Sequence, residues 1–188
     1  MIRPFLLSLA CGLALSACSD PATTARYAIA PQPTETTLPN RLGQAELREV
    51  SLPQYASGQE IAYQTEDGAL RSTPDNIWAD DPPRAVTLAL ARQISAVSGA
   101  TVIAEPWPLS EGPQRRIEVR VEQFLARADG VVQLTGVYFV TPAGLTSGRD
   151  VMRSFDVTVP IAEAGPAAIA QAQSAAIAEL ARRIAQLD

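Results

Sequence analysis

Apolar residues between Pro82 and Ser98 recur at Val86, Leu90, Ile94 and Val97, one stripe down a helix of about 3.6 residues per turn. Arg84 and Arg92 fall off that stripe, toward water. The ends agree with the interior: Asp81 is placed to cap the first turn, Pro82 suits the first helical position, where its missing N–H costs nothing, and Gly99 follows as a stop. A second, alanine-rich helix is predicted from Pro166 to Leu187, striped by Ile169, Ala172, Ala176, Ile177, Leu180, Ile184 and Leu187.

Between the helices the period changes to two. Ile117, Val119 and Val121 alternate with Glu118, Arg120 and Glu122, and Phe124 then falls out of phase, which predicts either a β-bulge or a side chain wrapping an edge. Val132, Leu134, Tyr138 and Val140 share a face of the next run, with Gly136 among them, and Asp129-Gly130 between the runs is a hairpin signal. Strands are therefore predicted over 115–126 and 131–140, and over 152–159 through Phe155, Val157 and Val159. Shorter strands are predicted at 46–52, stopped by Pro53, at 61–64, followed by the turn Asp67-Gly68, and at 101–104, before Pro106-Trp107-Pro108. The order demands an α/β fold: a single domain with a mixed, mostly antiparallel sheet packed against two main helices. It leaves open whether the helices take opposite faces of the sheet, and whether their alanines serve packing on the sheet or between subunits.

The N-terminus has a different pattern. Arg3 is followed by an apolar run from Phe5 to Leu15, shorter than the roughly 20 residues that span a bilayer, and then by Ser16, Ala17 and Cys18. A basic start, an apolar core and Leu-Ser-Ala before cysteine make a lipoprotein signal. Residues 1–17 are the expected signal peptide, Cys18 the expected lipidation site, 18–45 the lipidated N-terminus and tether, and 46–188 the domain. Several acyl chains on Cys18 would anchor the protein stably without spanning the membrane. Ser19 follows the cysteine, where Asp favours inner-membrane retention in Gram-negative bacteria, so an outer-membrane anchor facing the periplasm is expected. Pro21, Pro31, Pro33 and Pro39 oppose a helix in the tether, and Tyr27, Ile29 and Pro31 form an apolar island in it, a candidate edge strand.

Composition narrows the chemistry. Removing Arg3 from the 15 basic residues leaves 14 against 20 acidic ones, a net charge of −6 that argues against nucleic acid and against broad adsorption to anionic lipid. The chain has no histidine and no lysine, and beyond Cys18 no cysteine. Cys/His zinc sites, histidine-based triads, Ser-Lys pairs and disulfides in the folded part are thereby excluded, and no cofactor is expected. What remains for catalysis is carboxylates. Asp80 and Asp81 are adjacent and diverge, with Asp81 already explained as a cap; Glu118 and Glu122 stand roughly 13 Å apart on a strand, beyond the spacing of paired glycosidase carboxylates. The expected function is not enzymatic. Trp78 and Trp107, the only tryptophans, are candidates either to close the ends of the core or to meet a partner.

Several short pieces, weak singly, fall in a specific order: the lipobox ending at Cys18; Tyr27-Ala28-Ile29-Ala30-Pro31; Val50-Ser51-Leu52-Pro53-Gln54-Tyr55; Trp78-Ala79; Glu105-Pro106-Trp107-Pro108; and the strand from Ile117 through Phe124. In these the chain resembles the ABC-type transport auxiliary lipoproteins, PqiC-like subunits associated with membrane integrity. Relatives usually continue the Leu-Pro-x-Tyr piece with basic residues; residues 56–64 here contain none, although Ile61 and Tyr63 keep the strand character. The resemblance implies a periplasmic accessory subunit of a lipid transport system, with an MCE-domain protein as partner and, through it, an ABC permease and ATPase. Such a subunit needs a recognition surface, expected to include Leu52, Pro53 and Tyr55 in one loop and Trp107 in another. The residues alone leave open a structural envelope lipoprotein without a transport role and, less in keeping with the composition, a carboxylate-dependent hydrolase.

Overall fold

In the computed structural model, which describes residues 23–34, 37–144 and 148–187, the elements in chain order are β1 (Ala25–Tyr27), β2 (Gln44–Leu47), α1 (Gln54–Ser57), β3 (Tyr63–Gln64), β4 (Leu70–Arg71), β5 (Asn76–Trp78), α2 (Pro82–Ser98), β6 (Thr101–Ala104), β7 (Arg115–Ala126), β8 (Val131–Pro142), β9 (Val151–Pro160) and α3 (Pro166–Gln186). The sheet is built around β7. One of its edges carries β8, antiparallel along its whole length, with β9 antiparallel beyond. The other edge is shared: β2 lies parallel along its first residues and β3 pairs at Ala126, with β6 parallel beyond β2 and β4 antiparallel beyond β3. A separate two-stranded parallel piece joins β1 to β5.

Of the two readings of Phe124, the bulge is the one present, as a register shift between Val121 and Gln123 that brings Phe124 back to the buried face. Gly136 lies opposite Val121 at that shift. An ideal Cβ there would stand 2.1 Å from the Arg120 carbonyl oxygen and 2.9 Å from Phe155 Cζ, so only glycine lets β7 coil so closely over β8.

Both helices cover one face of the sheet. Ile117, Val119, Val132, Leu134, Val140 and Val157 are buried beneath them, while Arg120, Met152 and Ser154 on the alternate positions are exposed. Asp81 Oδ2 accepts from the Arg84 amide, Pro82 opens α2, and Gly99 ends it in the left-handed region at φ 67°, donating to the Ser95 carbonyl. The stripe of α2 is buried as its spacing predicts, but against α3 as well as the sheet: the two helices pack side by side on the same face. They run in the same sense, Val86 sharing a gap with Gln173 and Val97 sharing a groove with Arg182. The alanines thus serve helix packing within the chain.

The described part of 18–45 is not free of the domain. After β1 the chain runs as a strap along α2 and α3. The Ala30 amide donates to Ser174 Oγ at 3.2 Å, the Gln32 amide donates to Gln93 Oε1 at 3.0 Å, and Gln93 Nε2 donates back to the Gln32 carbonyl at 3.1 Å and to Thr34 Oγ1 at 2.7 Å. Farther on, the Leu38 amide donates to the Val97 carbonyl, Asn40 Nδ2 to the Gly99 carbonyl, and Arg41 to the Gln186 carbonyl. Prolines remove donors and oppose a helix, yet an extended strand along two helices needs only the few amides that Gln93 and Ser174 satisfy. Tyr27 and Ile29 pack on the core as expected of the apolar island, although β1 pairs with β5 and not with the main sheet.

Other departures are local. The strand expected over 46–52 starts at Gln44 and stops at Leu47, because, after the Arg48 amide has donated to the Ile117 carbonyl, the next two amides turn to side chains: Glu49 donates to Glu105 Oε1 and Val50 to Thr87 Oγ1. The chain rejoins β7 only at Ser51, opposite Arg120. Trp78, of the two roles open to it, closes the core: it is buried at the end of β5, a strand the pattern does not predict. At the far side β9 is an edge strand of 10 residues, paired among the described residues only with β8. Its outward carbonyls at Met152 and Asp156 accept from the guanidinium groups of Arg153 and Arg183, each at 2.9 Å.

Candidate functional site

Cys18 lies outside the described residues. The four residues expected to form a recognition surface, Leu52, Pro53, Tyr55 and Trp107, are each half-buried, and the fold does not bring their two loops together. Leu52 packs against the core, and Pro53 accepts at its carbonyl from the Ala56 and Ser57 amides, closing the short turn α1. Tyr55 points into the structure: its hydroxyl accepts from the Phe124 amide at 3.1 Å, where the bulge has taken that N–H out of the ladder. Ile29, Trp78, Val86 and Phe124 gather around it at a gap of about 10 Å³, no larger than one water needs and far too small for an acyl chain.

Trp107 stands elsewhere. Its backbone amide donates to Glu46 Oε1 at 3.1 Å and its indole Nε1–H to the Glu111 carbonyl at 2.6 Å, which folds the loop after β6 back on itself. Glu46 is held in turn by Arg116, Nε to Oε2 at 3.0 Å. This loop presents Leu109, 47% exposed. From Arg116 to Phe124 along β7 is about 25 Å, so Tyr55 and Trp107 belong to different surfaces. Sequence reasoning picked out both aromatics and missed what positions them. Glu46 gave no signal beyond its place in a short strand.

The uncovered face of the sheet is charged. Glu118 lies between Arg120, 2.6 Å away, and Arg48, 3.4 Å away, and Arg48 also reaches Glu105 at 3.8 Å. The hydrogen bond from Arg120, with the charges of Arg120 and Arg48 added, holds the Glu118 carboxyl below the usual carboxylate range against a smaller opposing effect of burial. A general acid needs the opposite shift. Arg120 also lies 5.1 Å from the ring centre of Phe139, whose cross-strand neighbour Met152 is 61% exposed. Asp80 pairs with Arg84 and Asp81 caps α2, so both adjacent carboxylates have structural partners. Among the described residues no group of three or more His, Cys, Asp or Glu side chains is placed to hold a metal ion, and no helix is long and apolar enough to cross a membrane.

This architecture, a curled mixed sheet with two parallel helices on one face, recurs in solved proteins. One crystal structure of an uncharacterized protein matches with a TM-score of 0.66 at 20% identity, over 82% of this chain and 98% of its own. Protein XCC0632 from Xanthomonas campestris, assigned to the family model DUF330, matches with a TM-score of 0.65 at 18% identity, over 87% of this chain and 93% of its own. At these identities the likeness defines the fold. No curated protein matches the sequence. The family model of the ABC-type transport auxiliary lipoprotein component matches residues 27–185, nearly the whole folded part. The chain belongs to that family, the ABC-type transport auxiliary lipoproteins. Membership is consistent with a lipid anchor in the outer membrane and a domain facing the periplasm.

Proposed function

We propose that this protein is a non-enzymatic, periplasmic accessory subunit of an MCE/ABC-type lipid transport system that supports envelope integrity, anchored through lipid on Cys18. The observation that carries the reading is the family match over residues 27–185. The chemistry agrees with it: a chain without histidine or lysine, whose Glu118 is kept ionised by two arginines, offers recognition and not turnover. The gap around Tyr55, about 10 Å³, has no room for an acyl chain. The partner is an MCE-domain protein and, through it, an ABC permease and ATPase. Of the residues expected at the contact, Trp107 with its exposed neighbour Leu109 is the group we assign to the partner, while Leu52, Pro53 and Tyr55 are half-buried and serve first to hold their loop on the fold.

The test has two arms. In cell fractionation Cys18→Ala should move the protein from the membrane to the soluble fraction; firm retention would refute the lipid anchor. In detergent extracts the lipidated protein should co-purify with the MCE component, and Trp107→Ala with unchanged thermal stability should weaken that by about tenfold, roughly 1.4 kcal/mol. Absence of co-purification under conditions that preserve the MCE assembly would refute the transport reading.

A further inference from the structure

The strap decides how the domain stands on its membrane. Ala25 is the first residue fixed in a strand: it lies opposite Asn76 in the β1–β5 pair, and its amide donates to the Asp75 carbonyl at 2.7 Å. Asn76 in turn accepts from Ile61, two residues before Tyr63, which pairs with Ala126 at the very end of β7. The chain therefore enters the fold at the end of the sheet that carries the β7–β8 turn around Asp129 and the β3–β4 turn around Asp67. It then travels along the helices to the opposite end, where Asn40 and Arg41 meet Gly99 and Gln186. The opposite end also holds the start of β7, the end of β8 and the loop with Glu111, since the Ala143 amide donates to the Gln114 carbonyl.

Two lengths then compete. From Cys18 to Ala25 the chain can span at most about 25 Å when fully extended. The sheet is longer: the 12 residues of β8 measure about 40 Å from end to end. A lipid on Cys18 can therefore lie beside the Asp129 end but cannot reach the Glu111 end. Had 18–45 been a free tether, its contour of about 90 Å would have allowed any orientation; Gln93 and Ser174 remove that freedom by pinning 30–34 to the helices.

We propose that the lipidated domain stands with the β3–β4 and β7–β8 turns toward the bilayer and with the loop containing Trp107, Leu109 and Glu111 directed away from it. This rests on the lipid anchor at Cys18. The near surface carries Glu66, Asp67 and Asp129 beside Arg71 and Arg127, together with Leu70, 45% exposed. Its mixed charge gives no electrostatic adsorption to anionic lipid; the short reach of the chain alone sets the orientation. The far surface is the one a protein partner approaching across the periplasm meets first.

The chain lends itself to the test, because no cysteine follows Cys18 and lipidation consumes that thiol. Asp129→Cys and Glu111→Cys are expressed singly as lipidated full-length protein, spin-labelled and reconstituted into phosphatidylethanolamine/phosphatidylglycerol vesicles with a nickel-chelating lipid. Paramagnetic broadening is expected at position 129 and absent at 111. Inserting about 20 Gly/Ser residues after Asp20 adds on the order of 25 Å of root-mean-square reach and should bring broadening to 111 as well. Protein that floats with the vesicles and broadens equally at both positions without the insertion would overturn the orientation alone. Protein that fails to float would overturn the lipid anchor, and the orientation with it.

Discussion

Gln93 is the point at which the helices hold the strap, and replacing it separates that role from packing. Gln93→Met keeps nearly the same volume and removes three hydrogen bonds, to the Gln32 amide at 3.0 Å, the Gln32 carbonyl at 3.1 Å and Thr34 Oγ1 at 2.7 Å. Each such bond contributes about 0.5–1.5 kcal/mol net. Gln32 is only half-buried and Thr34 exposed, so water can take over their freed groups and the lower half of that range applies. The expected loss is about 2 kcal/mol, which for a domain of this size is a fall in Tm of about 4–8 °C. The damage should be local as well as global. Hydrogen exchange at the Gln32 amide, which donates to the lost Oε1, should accelerate toward the unprotected rate while amides of the β7–β8 ladder keep their protection. Thermal unfolding followed by circular dichroism, with exchange read by mass spectrometry, measures both. A Tm within about 1 °C of the native value, on the scale of an ordinary surface change, together with a still-protected Gln32, would refute the view that this side chain pins the strap.

Three further outcomes are expected. Leu90→Ala, at a fully buried position between the helices and the sheet, should cost about 2–5 kcal/mol in urea unfolding; a loss under about 0.5 kcal/mol would place the stripe outside the core. Tyr55→Phe should cost about 1–3 kcal/mol by leaving the Phe124 amide without its acceptor, with co-purification of the MCE component unchanged beyond that; weakened binding at native stability would make the hydroxyl a contact group instead. Because Glu118 has its carboxyl held below the usual range in the fold, its contribution is fully present above the ordinary carboxylate pKa of about 4.3 and is lost as pH falls through the folded value. Native protein should therefore unfold at a higher temperature than Glu118→Gln near pH 7, with the gap closing below about pH 4; a gap that persists in acid would remove the ionic origin.

What could be read in the sequence was what is decided locally. Asp81, Pro82 and Gly99 fix α2 within a few residues of themselves, and Asp129-Gly130 fixes the hairpin, so both elements stand where the pattern put them. The break of β2 could not be read, because Val50 leaves the strand for Thr87, which arrives 37 residues later on a helix. The strap was hidden by its own composition: prolines and threonines look like a linker wherever the partners that satisfy their neighbours are distant. One signal was available. Gln93 falls three residues after Leu90 and four before Val97, on the buried side of the stripe, and a polar side chain there has to find partners. Ser174 occupies a similar place on α3. In the candidate surface, Tyr55 drew attention as an aromatic beside Pro53, but its hydroxyl serves a bulge 69 residues away, and that role is visible only once β7 is folded.

The edge of β9 bears on how the protein survives before it reaches its membrane. A 10-residue strand with one free side is a template for another chain, and a lipoprotein crosses the envelope as a chain with an exposed edge among many others. Here two of the outward carbonyls, at Met152 and Asp156, are already occupied by the guanidinium groups of Arg153 and Arg183, one of them reaching over from α3. A strand arriving in register would have to displace both arginines and desolvate their charges. The helix that completes the core thus also guards part of the sheet against its own kind, and the gap between folding and assembly is passed with the edge interrupted at two points.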